Sequence, residues 1–150
     1  MTKVLVLGGA GFIGLNIVRR LCRIGGYDIT IADNYFRGKH DDELSGLVSE
    51  FNISIVNADF TNQASFDLLG NYDQLYMLAS VVGVKYTEQM PSELIRINSF
   101  LILNTLEWLK RSHVGRVLFA STSECYAGTV DEFKYAVPTD ERVPLCIKDI

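Results

Sequence analysis

The sequence predicts a doubly wound α/β fold: a parallel five-stranded sheet with strand order 3-2-1-4-5 and helices on both faces. Three observations carry that expectation. Segments of strand character alternate with segments of helical period, which points to parallel strands joined by right-handed crossovers. The first strand, Lys3-Val4-Leu5-Val6-Leu7, is apolar without alternation, as a strand covered on both faces should be. It runs straight into a glycine cluster that opens a helix.

The elements follow in order. The first strand spans 3–7. The helix over 12–24 carries Ile13, Ile17, Leu21 and Ile24 at helical spacing. A second strand, Asp28-Ile29-Thr30-Ile31-Ala32, ends on Asp33. The alternation then places a helix over 41–50, a strand over 53–57, a helix over 62–70, a strand over 74–79, a helix over 92–111 and a strand over 116–121. Residues 128–150 contain Pro138 and Pro144, mixed charges and no clear period. They read as a long loop lying over the sheet edge, and long loops are often functional.

The glycine cluster is Gly8-Gly9-Ala10-Gly11-Phe12-Ile13-Gly14. It reads as G-x-x-G-x-x-G through Gly8, Gly11 and Gly14, or as G-x-G-x-x-G through Gly9, Gly11 and Gly14. Without Cβ atoms, backbone N–H groups can approach a pyrophosphate closely, and the helix N-terminus adds unpaired donors and a favourable dipole. Asp33 lies 19 residues beyond Gly14, at the end of the second strand. A dinucleotide site wants an acid there, to bond a ribose hydroxyl. Glycines also make plain turns; the strand before, the helix after and Asp33 favour the phosphate cradle. Asp59 closes the third strand and either lines the ligand crevice or caps the next helix, with Thr61 the rival cap. Leu78-Ala79-Ser80 ends the fourth strand with small residues that serve either a passing cofactor or close packing.

Composition narrows the class. The chain has 150 residues, 48% hydrophobic and 21% charged, enough apolar material for one domain with a core. Net charge is −4 and no basic stripe is present, which argues against a nucleic-acid partner. Cys22, Cys125 and Cys146 are widely spaced, and no Cys/His cluster suggests a metal. The longest apolar stretch, Leu94 to Leu109, is broken by Arg96, Asn98, Asn104 and Glu107. We therefore expect a cytoplasmic protein without a membrane span.

These residues resemble the extended short-chain dehydrogenase/reductase family, in particular its nucleotide-sugar epimerases, dehydratases and decarboxylases. The matching segments are Gly8–Gly14, Asp33-Asn34, Ala58-Asp59, Leu78-Ala79-Ser80, Ile97-Asn98 and Ala120-Ser121-Thr122-Ser123-Glu124-Cys125-Tyr126. The resemblance implies a Rossmann domain with NAD as cofactor and a nucleotide sugar as substrate. It implies that Gly8, Gly11 and Gly14 hold the pyrophosphate, with Phe12 and Ile13 also among the cofactor-binding residues. Asp33 would hold the adenosine ribose, favouring NAD over NADP by charge, with Asn34 also cofactor-binding; Arg37 is near enough to soften that preference. Asp59 and Phe60 would lie by the adenine, and Leu78, Ala79, Ser80 and Asn98 near the cofactor. Asn98 could equally be a buried amide serving local backbone.

The same resemblance places Thr122 at the catalytic Ser/Thr position and Glu124 at the acid found in members that eliminate water or lose CO2. A carboxylate there can act as a general base once a 4-keto group has acidified the neighbouring carbon. The plain alternative is a Ser/Thr turn with a solvated Glu. The family's Tyr-x-x-x-Lys pair is matched only by Tyr35 and Lys39, where Gly38 argues against a helix; Tyr126 is followed four residues on by Val130. We therefore expect the chain to be the N-terminal portion, residues 1–150, of a longer enzyme that forms a homodimer, and to be inactive alone. The rival reading is a non-catalytic NAD-binding or regulatory module.

Overall fold

A computed structural model describes residues 1–146. The chain divides into two compact units, one over Met1–Phe119 and one from Ala120 onward. In the first unit β1 (Thr2–Leu7), α1 (Phe12–Ile24), β2 (Tyr27–Asp33), α2 (Asp42–Phe51), β3 (Ser54–Asn57) and β4 (Gln74–Met77) come first. They are followed by α3 (Val84–Gln89), α4 (Pro91–Arg111) and β5 (Arg116–Phe119). The five strands form one sheet in the order β3-β2-β1-β4-β5, with every pairing parallel. This is the expected topology, and it puts the turn after β1 between the loops that leave β2 and β4.

β1 explains why its residues show no polar alternation. Val4, Leu5, Val6 and Leu7 are all fully buried. Val4 and Val6 pack with Val18 and Leu21 of α1 and Leu44 and Leu47 of α2, whereas Leu5 and Leu7 pack on the other face with Phe66, Leu101 and Trp108. Each such buried side chain contributes on the order of 1.5–3 kcal/mol. Trp108 sits among rings, 5.8 Å from Phe66 and 6.5 Å from Tyr72 between centroids.

Several boundaries differ from expectation. β4 ends at Met77 and β5 at Phe119, two residues earlier than predicted in each case. The helix expected over 62–70 is a 3-10 helix over Gln63–Leu68, capped by the Asn62 side chain rather than by Asp59 or Thr61. α3 was not foreseen; it is six residues long, stops where Met90 leaves helical backbone, and gives way to Pro91, which starts α4. The long loop expected from 128 is helical at its start. In the second unit a 3-10 turn over Ser123–Tyr126 leads into α5, Ala127–Phe133, which stops where Lys134 turns left-handed. The fully buried Thr129 hydroxyl donates to the Pro144 carbonyl at 2.7 Å and accepts from the Cys146 amide at 2.8 Å, fastening α5 to the segment that follows. Residues 147–150 of the predicted loop lie outside the described residues.

α4 carries two apolar faces. Leu101 and Trp108 are buried, whereas Ile95, Leu103 and Leu106 form an exposed stripe on the other side. Val117, Leu118 and Phe119 of β5 are exposed as well.

Candidate functional site

The site is built around the turn between β1 and α1. Its glycines do different work. Gly8 has φ +81°, and a Cβ there would come within 2.6 Å of the Ala79 amide nitrogen, so this position brings the turn against the end of β4. A Cβ on Gly14 would lie 2.3 Å from the Gly8 carbonyl oxygen, so Gly14 lets the first turn of α1 press onto the loop. Gly11 differs: the only crowding at its Cβ position is the Gly8 carbonyl oxygen at 3.3 Å. Gly8 and Gly14 therefore hold the turn's shape, while Gly11 faces comparatively open space.

Gly11 is also the N-cap of α1. No side chain caps the helix there, and its first turn holds no acidic residue. The N–H groups at the start of a helix have no partner within it, so Phe12, Ile13 and Gly14 present donors and the positive end of the helix dipole. Phe12 and Ile13 are strongly exposed, 86% and 61%, although apolar. An uncapped helix start flanked by exposed apolar side chains fits a ligand that is anionic at one point and apolar beside it.

Asp33 lies next to this turn. Its carboxylate accepts from the Ala10 amide at 3.0 Å and from the Tyr35 amide at 2.8 Å. One oxygen is thus tied to the glycine turn and the other to the loop after β2. The group is 9% exposed, and each oxygen retains a further lone pair for a hydroxyl donor. Asn34 is exposed, and its side chain accepts from the Phe36 amide at 3.0 Å, shaping the loop. Gly38 closes that loop onto the turn: a Cβ there would meet the Ala10 carbonyl at 2.7 Å.

Asp59 is exposed two residues past the end of β3 and accepts from the Thr61 amide and hydroxyl at 2.9 and 2.8 Å through one oxygen. Phe60 points elsewhere. It is 3% exposed and packs edge-on against Phe66 at 5.0 Å, so its ring belongs to the core and only its backbone remains for a ligand. Leu78 and Ala79 are half-buried behind Gly8, and Ser80 is exposed at the crevice. Asn98 reaches from α4 to Val81: its carbonyl oxygen accepts from the Val81 amide and its NH2 donates to the Val81 carbonyl, both at 2.8 Å. Its amide thereby holds the backbone of the loop after β4. The unexpected participants are Ala10, Val81 and Val82, backbone partners in long-range contacts that no residue type advertises.

Tyr35 and Lys39 do not form a helical pair. Tyr35 has φ 56° and lies in an irregular loop, as Gly38 led us to expect. Its hydroxyl is buried without a hydrogen-bond partner among the described residues. Burial, and then the nearby Asp33 carboxylate, raise its pKa above the ordinary tyrosine value.

The second unit holds the other predicted residues. Thr122 caps the 3-10 turn, its hydroxyl oxygen accepting from the Glu124 amide at 3.2 Å, and its carbonyl accepts from the Cys125 thiol at 3.0 Å. Glu124 is exposed. The turn presents a hydroxyl and a carboxylate two residues apart.

A family model described as the NAD dependent epimerase/dehydratase family matches residues 4–145. The chain belongs to this family. Among curated members, the UDP-N-acetyl-alpha-D-glucosaminuronate decarboxylase of Bacillus cytotoxicus is 35% identical over 126 residues, covering 83% of this chain and 37% of that relative. The UDP-glucuronic acid decarboxylase 5 of Arabidopsis thaliana is 35% identical over 125 residues, covering 83% of this chain and 35% of that relative. The chain thus spans little more than a third of the length of these relatives. Among solved structures, the UDP-glucose 4-epimerase of Thermus thermophilus, in complex with NAD, superposes with a TM-score of 0.77 at 28% identity, over 96% of this chain and 44% of that one. The UDP-Glc/GlcNAc 4-epimerase of Campylobacter jejuni shares the fold, with a TM-score of 0.84 at 22% identity, over 97% of this chain and 43% of that one. Among the described residues, no helix is long and apolar enough to cross a membrane.

Proposed function

We propose that the chain is the NAD-binding portion of an enzyme that modifies a nucleotide sugar through transient oxidation at C4. The observation that carries this reading is the uncapped, glycine-lined start of α1 beside the nearly buried Asp33 carboxylate. Donors and a positive helix end suit a pyrophosphate; a carboxylate with spare lone pairs suits a ribose diol. The bound nicotinamide supplies hydride chemistry. Gly11, Phe12, Ile13 and Gly14 hold the phosphates, and Asp33 and Asn34 the ribose. Asp59 and the Phe60 backbone flank the base, and Leu78, Ala79 and Ser80 line the crevice, with Asn98 acting through Val81. Thr122 bonds the reacting sugar oxygen, and Glu124 moves a proton at the neighbouring carbon. The decarboxylase relatives favour carbon dioxide loss or elimination over simple epimerisation, because Glu124 is then needed.

In this reading the chain forms the N-terminal part of a longer protein whose Tyr-x-x-x-Lys helix and sugar-binding part follow residue 150. The whole protein is a cytoplasmic homodimer, and the exposed stripe of Ile95, Leu103 and Leu106 on α4 supports a further packing contact there. Calorimetry with NAD+ and NADP+ tests the core of the reading. The expected result is binding of NAD+, with NADP+ weaker; absence of NAD+ binding by the folded chain rejects it.

A further inference from the structure

The two loops on either side of the glycine turn are joined above it. The Arg37 guanidinium, from the loop after β2, donates to the Val82 carbonyl, in the loop after β4, at 3.0 Å. Beside it, the Phe36 and Tyr86 rings meet at 5.8 Å between centroids. β2 and β4 are the two neighbours of β1, so these contacts bridge the crevice at the point where the strand order reverses.

The bridge closes a ring of contacts. Gly38 presses on Ala10, Arg37 reaches Val82, Asn98 holds Val81 by both of its backbone groups, and Gly8 presses on Ala79. The parts of this ring differ in strength. Asn98 makes two bonds from a half-buried position on a long helix. The glycine contacts are backbone against backbone. Arg37 is exposed and makes one bond to one carbonyl. A single neutral-acceptor bond in water is worth little and breaks readily. The Arg37–Val82 bond is therefore the weakest link, and the one place where the ring opens without unpacking the core.

We propose that Arg37 is a positioning residue that latches the dinucleotide crevice: its bond to Val82 holds the β2 and β4 loops together, and the cofactor enters and leaves when that bond breaks. This rests on the NAD-binding reading above. On breaking, the guanidinium swings into solvent, Val81 stays fixed by Asn98, and the segment over 36–39 is free to lift from Ala10, while Tyr35 stays packed on the core and bonded to Asp33. The fixed side and the movable side of the crevice are thus set by different residues.

NADH fluorescence in stopped-flow mixing tests this with the full chain. Association is followed directly, and dissociation by chasing with excess NAD+. Arg37→Ala, at an exposed position, should raise both rates by about three- to ten-fold, the span expected for one lost hydrogen bond, and leave Kd within a factor of about three because both directions gain. Phe36→Ala should shift both rates the same way. A rise in dissociation alone, with association unchanged, overturns the latch and makes Arg37 a static support. Unchanged rates in both variants overturn it too. Failure of the unaltered chain to bind NADH rejects the cofactor reading itself, a distinct outcome. Arg37→Lys, which keeps the charge and a donor, should restore part or all of the slow exchange; exchange as fast as that of Arg37→Ala would overturn the latch.

Discussion

Gly14 lies directly beneath Gly8: a Cβ on Gly14 would stand 2.3 Å from the Gly8 carbonyl oxygen, inside any tolerable contact. That relationship separates the glycines into two kinds. Gly14→Ala forces the helix off the loop and should destabilise the chain by about 1–3 kcal/mol, as overpacking does. The Cβ of Gly11→Val would meet only the Gly8 carbonyl oxygen, at 3.3 Å, so this variant lacks the clash of Gly14→Ala. It should keep most of the melting temperature yet abolish NAD+ binding by calorimetry. Normal binding by a folded Gly11→Val chain would mean that the phosphates lie elsewhere.

Asp33 bonds the Ala10 and Tyr35 amides through different oxygens. Asp33→Asn must present an NH2 to one of those N–H donors. The variant should lose about 1–3 kcal/mol of stability, the usual cost of a buried donor left unmatched. Its preference for NAD+ over NADP+ should fall as well, because the charge that opposes a 2′-phosphate is gone. Titration of both cofactors against both proteins measures this. Equal discrimination before and after the change would show that Asp33 faces away from the ribose.

Tyr35 gives a prediction in pH. Its pKa is raised in the folded chain, first by burial and then by Asp33. The folded state therefore keeps the phenol proton after the unfolded state has lost it. Stability from this group is present below the unfolded pKa, near 10. It declines as pH rises through that value toward the higher folded one. Tyr35→Phe should flatten this alkaline loss in denaturant melts. It should leave neutral-pH stability unchanged or raise it by up to about 1–3 kcal/mol, since it removes a buried hydroxyl that has no partner among the described residues. A marked loss at neutral pH would mean that the hydroxyl bonds a water.

On the proposed reading, Glu124 decides reaction type. In the complete enzyme, Glu124→Gln should still allow the first oxidation, seen as NADH absorbance. Product formation should fall by about 10²–10⁴-fold if the carboxylate moves a proton. Unchanged product formation would reduce Glu124 to a solvated turn residue and move 4-epimerisation to first place.

The readable parts of this molecule were those set by local pattern. The unbroken apolar run of β1 announced a central strand, and the spacing from Gly14 to Asp33 announced the acid at the end of β2. Gly38 rightly argued against a helical Tyr35–Lys39 pair. What stayed hidden was long-range. Nothing in the letters of Asn98 says that its amide holds Val81, because the pairing spans 17 residues and two elements. Phe60 was expected beside a ligand, yet tertiary packing turned its ring onto Phe66. α3 and α5 are six and seven residues long, too short for a periodic signal.

Trp108 is the sole tryptophan of the chain and is buried on one side of the sheet, among Phe66 and Tyr72. The opposite side, packed from Val18, Leu21, Leu44 and Leu47, contains no indole. Intrinsic emission is therefore a one-sided optical probe. It reports loosening of the layer under α4 and is blind to fraying of α1 and α2. Comparing its melting curve with far-ultraviolet dichroism, which averages all helices, would reveal whether the two layers come apart together or in sequence.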